Sequence, residues 1–324
     1  MAGRQLSKSI SASRNSGPAG EFPAWSPTLH RLAVVTAGAT FVLIIAGALV
    51  VGNGAGLAVP DWPLSFGTWM PPMVGGVFYE HGHRMIATTV GFLSIVLAFG
   101  LWRKEPRAWV RRLGWIGLAT VILQGLLGGI TVLYKLPMPV VIFHACLAQL
   151  FFCITLSLVE FTGRSWNQPE MLAEDSGTPQ FRNLCAATSA AIVAQLALGA
   201  ALRHKALDVI PHALGAILIC LMVGWTIVRA MRLPELKPLQ RLAAAMGILV
   251  IVQVALGGVS YLTRLTQEGS TNLDPVMIWS TTLHVATGAA VLGTSWVLTL
   301  VAFRRLAAPQ PVPAFERNPE KSPA

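Results

Sequence analysis

Charged residues are scarce in this chain of 324 residues, and their scarcity excludes a water-soluble protein. Asp, Glu, Lys and Arg make up 12% of the sequence, hydrophobic residues make up 54%, and the mean hydropathy is +0.61. Soluble globular domains carry about 25% charged residues. Several apolar runs approach the length of about 20 residues that a helix needs to cross a bilayer. The composition therefore predicts an all-α integral membrane protein in contact with membrane lipid.

Cysteine is also scarce, and the four that occur form no CxxC motif: Cys146, Cys153, Cys185 and Cys220. Each lies in or at the edge of an apolar run, so we expect small buried side chains. An apolar core of the signal-peptide type is missing from residues 1–31, which are rich in Ser, Gly, Ala and Pro. Residues 1–31 and 304–324 are predicted to be disordered cytoplasmic tails.

Basic residues outnumber acidic residues by 24 to 14, which gives a formal charge of +10. They form short clusters between apolar runs rather than one continuous surface, so we expect no binding of nucleic acid. Nineteen of them lie in the two tails and in the alternate loops 103–112, 160–183 and 229–241. Because cytoplasmic loops carry the excess of Lys and Arg, we predict a multi-pass protein of the cell inner (cytoplasmic) membrane with both termini cytoplasmic.

Eight apolar segments follow the N-terminal tail: 32–51, 84–102, 113–134, 139–160, 184–202, 209–229, 240–262 and 276–303. The chain also repeats itself, because Gln124–Leu133 is similar to Gln253–Leu262 at an offset of 129 residues, and Gln195–Ala200 is a weaker copy. The repeat predicts eight transmembrane helices in two pseudo-symmetric four-helix bundles. The expected division is an N-terminal bundle over 32–160, a cytoplasmic linker over 161–183 and a C-terminal bundle over 184–303.

Four of the seven histidines lie near the outer ends of even-numbered segments: His83, His144, His212 and His284. His83 corresponds to His212 at the offset of 129, and His144 corresponds to His284 at an offset of 140. Two imidazoles at similar depth on parallel helices are typical of a bis-histidine haem site. A hydrogen-bonded packing role is the alternative for any single histidine. Zinc would lack its usual number of ligands, and copper is left open.

An acid, two imidazoles and a guanidinium crowd the start of the second segment, in Glu80, His81, His83 and Arg84. Ionisable groups in a membrane helix are costly and usually functional. On a helix Glu80 and His83 are i,i+3 neighbours, whereas His81 is about 200° around from His83. We prefer His83 to His81 as the ligand, since His83 matches His212 in the repeat.

The two halves differ beside this histidine. The residues equivalent to Glu80 and Arg84 are Val209 and Ala213, so the acid and the guanidinium occur in the N-terminal half alone. We infer that the N-terminal half carries out chemistry and that the C-terminal half holds an electron-transfer haem. Glu80 is a candidate proton acceptor or a charge that stabilises a cationic intermediate. The alternative is an interfacial carboxylate paired with Arg84.

Two arginines lie at the predicted outer surface, Arg84 and Arg203. Both are candidates to pair with haem propionates through charge-assisted hydrogen bonds, and snorkelling at the membrane edge is the alternative for each. The outer loop 52–79 contains several prolines and tryptophans. It is predicted to be an ordered lid rather than a slack linker.

These residues together resemble the haem A synthase family. The resemblance extends over about residues 32–303 and rests on Gly54–Leu64, Glu80–Arg84, the Gln-x-x-Leu-Gly-Gly runs and the three later helical histidines. It implies an oxidoreductase that converts the C8 methyl group of haem O to a formyl group by successive hydroxylations, giving haem A for terminal oxidases. Haem O would be the substrate between His83 and His144. A haem b cofactor would lie between His212 and His284.

The resemblance also implies that Glu80 is the acidic residue needed for turnover. Expected partners are haem O synthase, terminal oxidase assembly and, in several relatives, further copies of the chain. Many relatives have a cysteine pair in the first outer loop, where this chain has Val59 and Ser65. No disulfide can form there, so we expect prolines and tryptophans to hold the loop.

A second departure is the arginine typical of the first helix, which is missing from residues 47–54. Two other functions are compatible with the four histidines. A di-haem cytochrome b-type membrane electron carrier would use them for electron relay alone, and a haem exporter or chaperone would bind haem without redox turnover.

Overall fold

The computed structural model describes residues 25–167, 172–175, 177–267 and 274–307. These residues form eight α-helices: α1 (Pro27–Gly52), α2 (Gly76–Lys104), α3 (Ala108–Leu133), α4 (Met138–Thr162), α5 (Phe181–Arg203), α6 (Val209–Met231), α7 (Lys237–Thr266) and α8 (Pro275–Arg305). All eight are long and apolar enough to cross a membrane. The prediction of an all-α, eight-helix membrane protein is therefore confirmed. Most of both predicted tails, 1–24 and 308–324, lies outside the described residues.

The helices extend beyond the predicted apolar segments at most of their ends, and a polar side chain caps the start of α1 and of α8. Asp274 accepts a hydrogen bond from the Val276 N–H at 2.9 Å, and Pro275 occupies the first helical position of α8. Helix α2 begins at Gly76, well before the predicted segment 84–102. The stretch from Glu80 to Arg84 therefore lies inside the helix, in its first turns.

Helix packing divides the described residues into two sets of four. In the first set α1 and α3 each contact both α2 and α4, and in the second set α5 and α7 each contact both α6 and α8. The sets meet where α8 packs on α1 and α4, and where α4 contacts α5. This arrangement encloses space between the helices of both sets. The pseudo-symmetry of the two sets stays a prediction.

Small polar side chains join helices of the second set. Ser189 on α5 hydrogen-bonds Ser295 at 2.8 Å and Thr299 at 2.9 Å on α8, and Thr188 hydrogen-bonds Thr226 on α6 at 3.2 Å. Such bonds between membrane helices contribute about 0.6–2 kcal/mol each. They hold α5, α6 and α8 together.

The chain between α4 and α5 is tied to the end of α6 by a buried ion pair. The Arg229 Nη2 atom lies 3.1 Å from Asp175 Oδ1, and Nη1 donates to the Pro179 carbonyl at 2.7 Å. Of the four cysteines, Cys153 and Cys185 are buried as predicted, whereas Cys146 is half-buried and Cys220 is exposed. The expectation was wrong for Cys220 because this side chain lies on the wall of an internal cavity.

Candidate functional site

A cavity of about 1980 Å³ is lined by residues from all eight helices. Its lining includes every predicted haem ligand and the predicted acid and arginines: His83, His144, His212, His284, Glu80, Arg84 and Arg203. Sites for drug-sized ligands occupy about 300–1,000 Å³. The cavity therefore has room for two large ligands, one in each set of helices.

Each cavity histidine packs against a glycine on the preceding helix. A β-carbon added at Gly47 would lie 3.2 Å from the His83 Cε1 atom, and one added at Gly128 would lie 3.7 Å from the His144 Cε1 atom. The same distance is 3.0 Å for His212 at Gly199 and 2.9 Å for His284 at Gly257. At Gly47, Gly199 and Gly257 these approaches leave the ring little freedom to move toward the neighbouring helix, so glycine there sets where the imidazole lies. The 3.7 Å distance at Gly128 is an ordinary van der Waals contact.

Glutamines one turn before three of these glycines hold the histidine helices. Gln124 Nε2 donates to the His144 carbonyl at 3.1 Å, and Gln195 Nε2 donates to the His212 carbonyl at 2.7 Å. These contacts explain the repeated Gln-x-x-Leu-Gly-Gly pattern, in which the glutamine and the first glycine touch the same histidine or its backbone. Groups of this kind orient metal ligands.

Gln253, the third glutamine, contacts the imidazole ring of His284 rather than the backbone carbonyl of that histidine. Its backbone carbonyl lies 3.1 Å from His284 Nδ1, and its side-chain Nε2 lies 3.2 Å from His284 Nε2. With Nδ1 donating to the carbonyl, Nε2 carries the lone pair, and this lone pair accepts the Gln253 amide. A metal bound at Nε2 would therefore take the place of that amide. Helix α1 departs from the pattern, because Leu43 precedes Gly47 by four residues.

The distance between His212 and His284 fits an iron held between two imidazoles. The ring centres of His212 and His284 are 6.3 Å apart, with the ring planes at 71°. Two metal–nitrogen bonds of about 2 Å each, with about 1 Å from each nitrogen to its ring centre, span about 6 Å. In the other pair, the Nδ1 atoms of His83 and His144 are buried without a hydrogen-bond partner.

A bare metal ion suits the site less well. Across the described residues, no group of three or more His, Cys, Asp or Glu side chains could hold a metal. Structural zinc takes four protein ligands and catalytic zinc takes three. Two imidazoles suffice for an iron whose other ligands belong to a porphyrin.

Glu80 is buried at the loop end of the N-terminal set, and both of its carboxylate oxygens are hydrogen-bonded. Oε1 lies 2.7 Å from Arg84 Nη2, and Oε2 accepts the Val59 N–H at 2.8 Å. The predicted pairing of Glu80 with Arg84 is therefore present. Because Glu80 also lines the cavity, the ion pair does not remove the carboxylate from the site.

Arg84 and His81 hold the loop between α1 and α2. Arg84 Nη1 donates to the carbonyls of Asp61 and Leu64, both at 2.8 Å. His81 does not line the cavity; its Nδ1 hydrogen-bonds Ser65 Oγ at 2.8 Å. The two imidazoles thus have separate surroundings, as their helical spacing predicts.

Hydrogen bonds from α2 reach both loop positions at which relatives were expected to have cysteines. Val59 is held by Glu80, and Ser65 is held by His81. Sequence reasoning expected prolines and tryptophans to hold the loop and missed this polar clamp. The spacing gives no signal for it, because partners 16 and 21 residues apart meet only when the loop folds back on α2.

The loop has its own internal brace. Asp61 accepts hydrogen bonds from the N–H groups of Phe66 and Gly67, both at 2.7 Å. The hydrogen bond from Gly67 is the main cause that holds the pKa of the Asp61 carboxyl below its usual value of 3.8. Trp62 and Trp69 line the cavity from the loop side. An ordered lid over one end of the cavity is therefore present.

Basic side chains surround the cavity mouth beside α5 and α7. Arg203 Nη2 donates to the Ala48 carbonyl on α1 at 3.0 Å, and Lys205 and Arg264 also line the cavity. Burial, with a smaller effect of Arg203, lowers the pKa of His204 at the end of α5. Arg203 forms no ion pair with any side chain in the described part of the chain. Contacts of Arg84 and Arg203 with propionates stay predictions.

A family model described as COX15-CtaA, cytochrome oxidase assembly protein, matches residues 9–156 and 74–210, which together cover more than half of the chain. The chain belongs to the COX15-CtaA family. Three of its relatives carry the name heme A synthase. The one from Symbiobacterium thermophilum is 29% identical over 256 residues, which cover 68% of this chain and 81% of that protein.

Two shorter matches to the COX15-CtaA chain reach higher identity. The heme A synthase of Shouchella clausii is 37% identical over 110 residues, 33% of this chain and 36% of that protein. That of Roseobacter denitrificans is 32% identical over 128 residues, 36% of this chain and 34% of that protein. These two matches span about a third of each relative.

The lid of this COX15-CtaA protein rests on Gly129, and we expect Gly129→Ala to loosen it. The added methyl group would lie 2.7 Å from the Trp62 ring, so the ring must move. Amide hydrogen exchange over 55–68 is expected to rise about tenfold, since local opening exposes the loop amides. Gly125→Ala is the matched control on the same helix, because its β-carbon meets nothing within 4 Å. Equal exchange in both variants would contradict this role of Gly129.

Proposed function

We propose that the protein is a haem A synthase, an oxidoreductase that oxidises the C8 methyl group of haem O to a formyl group. Membership of the COX15-CtaA family and the names of its relatives support this function. The observation that carries it is the position of Glu80, which lines the cavity beside His83. The equivalent residue of the C-terminal half is Val209, so the two sites are chemically different.

In this proposal His83 and His144 hold the iron of the substrate haem O, and His212 and His284 hold a haem b cofactor. Haem b supplies one-electron redox chemistry when it is bound. The glycines beside the four rings restrict ring movement, and Gln195 and Gln253 orient the haem b ligands. The C-terminal half thus needs no acid at its site.

Glu80 would act at the methyl carbon. Each hydroxylation would break one C–H bond of that carbon and form a C–O bond to a water oxygen, with release of two protons and of two electrons to an external oxidant. Loss of water from the resulting diol leaves the formyl group. The Glu80 carboxylate would accept a proton released in these steps or stabilise positive charge at the carbon. Its bonds to Arg84 and Val59 hold the carboxylate in place under the loop, where Glu80 is 4% exposed.

The remaining features support the same proposal. Arg203 lies at the cavity mouth and Arg84 lies under the loop, and propionates of bound haems would meet these guanidinium groups. The charge distribution favours an inner-membrane protein with both termini cytoplasmic. A substrate as apolar as haem O would come from haem O synthase in the same membrane, and the product would pass to terminal oxidase assembly.

The test is to purify the protein from cells that make haem O, extract the non-covalent haems, and separate them by chromatography and mass. Haem A or its hydroxylated precursor beside haem b would support the proposal. Haem b alone, in two sites with the same low-spin spectrum, would instead indicate the di-haem electron carrier. Bound haem O that is never oxidised would indicate a haem carrier.

The two neighbouring histidines should behave differently in this assay. We expect His83→Ala to lose the substrate haem, because His83 lines the cavity, and we expect His81→Ala to keep it, because His81 bonds Ser65 instead. Loss of a metal ligand should lower retained haem O by about 10-fold or more, measured as extracted haem O and haem A per haem b. Loss in His81→Ala with retention in His83→Ala would overturn the ligand assignment.

A further inference from the structure

One side-chain amide in the cavity wall of the N-terminal half takes no part in the chemistry above. Gln149 on α4 lines the cavity, is only 8% exposed, and its Oε1 atom has no hydrogen-bond partner. A buried amide without a partner is costly. Its presence on the wall of a ligand-sized cavity indicates a polar group on the ligand.

The surroundings of Gln149 are apolar or already satisfied. Ile44 and Phe151 also line the cavity, and the lining residue Thr40 donates its hydroxyl to the Thr36 carbonyl of its own helix at 2.7 Å. The Oε1 atom of Gln124 is buried without a partner too, but Gln124 is already fixed by the bond from its Nε2 to the His144 carbonyl, whereas Gln149 makes no such bond to any described residue. In the C-terminal half the offset that relates His144 to His284 leads to Ala289, which is fully buried.

Gln149 lies deep in the cavity, away from the lid. It follows His144 by five residues on α4, a rise of about 7.5 Å, toward the end opposite the loop. Arg84 and Arg203 line the end nearest the loop. A haem whose propionates meet these arginines turns its opposite edge toward Gln149.

That opposite edge distinguishes the two haems chemically. In haem O it carries a hydroxyl on the carbon that bears the isoprenoid chain, whereas haem b has a vinyl group there. A hydroxyl both donates and accepts hydrogen bonds, and a glutamine amide can do the same. The apolar side chains of Ile95, Leu118 and Val121 line the cavity in the same half and suit an isoprenoid chain.

We propose that Gln149 selects haem O over haem b in the N-terminal site by hydrogen-bonding the hydroxyl of its isoprenoid-bearing substituent. This assignment rests on the proposed function. The C-terminal half has no such amide, because the equivalent Ala289 packs in the core with Ile44 and Phe152 and does not line the cavity. A site built to hydrogen-bond a hydroxyl discriminates against a ligand that lacks one, because the amide is then left unpaired.

The test is a binding titration with Gln149→Met, which keeps the size of the side chain and removes the amide. Purified protein whose C-terminal site is filled with haem b is titrated with haem O and, separately, with more haem b, and each Kd is read from the Soret band. Wild type should bind haem O more tightly. Gln149→Met should weaken haem O binding about threefold to tenfold and should not weaken haem b binding.

Retention of haem b in the C-terminal site reports that the variant is folded. If Gln149→Met does not retain it, Gln149→Asn, which withdraws the amide by one methylene, should give the same selective loss. Equal haem O affinity in wild type and variant, or an equal loss for both haems, would overturn the role of Gln149 alone. A wild-type protein that takes up no haem O would overturn the proposed function together with it.

Discussion

Glu80→Gln is expected to lower haem A formation at least about 100-fold, the usual minimum for a residue in general acid–base catalysis, while haem b stays bound. The carboxamide oxygen can still accept the Val59 N–H, so the loop keeps that anchor. The variant loses the negative charge beside His83 and the ion pair with Arg84. Haem A and its hydroxylated precursor, extracted per haem b, measure the effect.

Glu105→Gln is the matched control for Glu80→Gln. Glu105 directly follows the last residue of α2. Like Glu80 it is buried and pairs with an arginine, since its Oε1 atom lies 2.6 Å from Arg107 Nε. It does not line the cavity, so its replacement should leave haem A formation close to wild type. If Glu80→Gln forms as much haem A as the wild type, Glu80 is not the catalytic acid or charge.

Glu80→Ala separates chemistry from lid closure. Alanine removes the charge and the acceptor for Val59, so amide exchange over the loop should rise in this variant but not in Glu80→Gln. If both variants lose haem A formation to the same extent, the charge is the cause. If only Glu80→Ala loses it, the carboxylate acts by holding the loop.

This coupling of site and lid follows from the order of residues in α2. Glu80, His81 and Arg84 bond the loop, while His83 lies between them and faces the cavity. Successive residues on a helix point about 100° apart, so one short stretch can place some side chains against the loop and others in the cavity. The buried ion pair costs desolvation, which the loop carbonyls around Arg84 partly offset.

Much of the fold could be predicted from sequence, because membrane helices leave strong signals. Apolar runs gave the eight helices, and the internal repeat singled out the four histidines that the cavity brings together. Helix ends were less predictable. The apolar window stops where side chains become polar, whereas the helix of α2 continues back to Gly76.

The missed features are contacts between distant parts of the chain. Gly47 and Gly199 lie in apolar runs like many other glycines, and only helix packing shows that they touch His83 and His212. The same holds for the bonds from α2 to Val59 and Ser65. The repeat aligns Gln149 with Ala289, but only the folded structure shows that Gln149 lines the cavity and that its Oε1 atom has no partner among the described residues.

The contact between Gly257 and His284 predicts the second large effect, a loss of bound haem b in Gly257→Ala. The new methyl group would lie 2.9 Å from His284 Cε1 and 3.3 Å from Nδ1, so the ring or α8 must shift. The shift should misalign the imidazole and weaken its hydrogen bond to the Gln253 carbonyl. Disturbance of groups that orient a metal ligand costs about 10- to 100-fold in affinity. Haem b per protein should fall accordingly, with loss of the low-spin optical spectrum.

Gly258→Ala is the control that isolates this contact, because a β-carbon there meets nothing within 4 Å. Both substitutions raise helix propensity by about 1 kcal/mol, so weakening of α7 cannot explain a loss in either. Gly199→Ala, whose methyl group would lie 3.0 Å from His212 Cε1, should reproduce the effect from the other side of the haem. Full haem b with an unchanged spectrum in Gly257→Ala would show that the glycine does not set the position of the ligand.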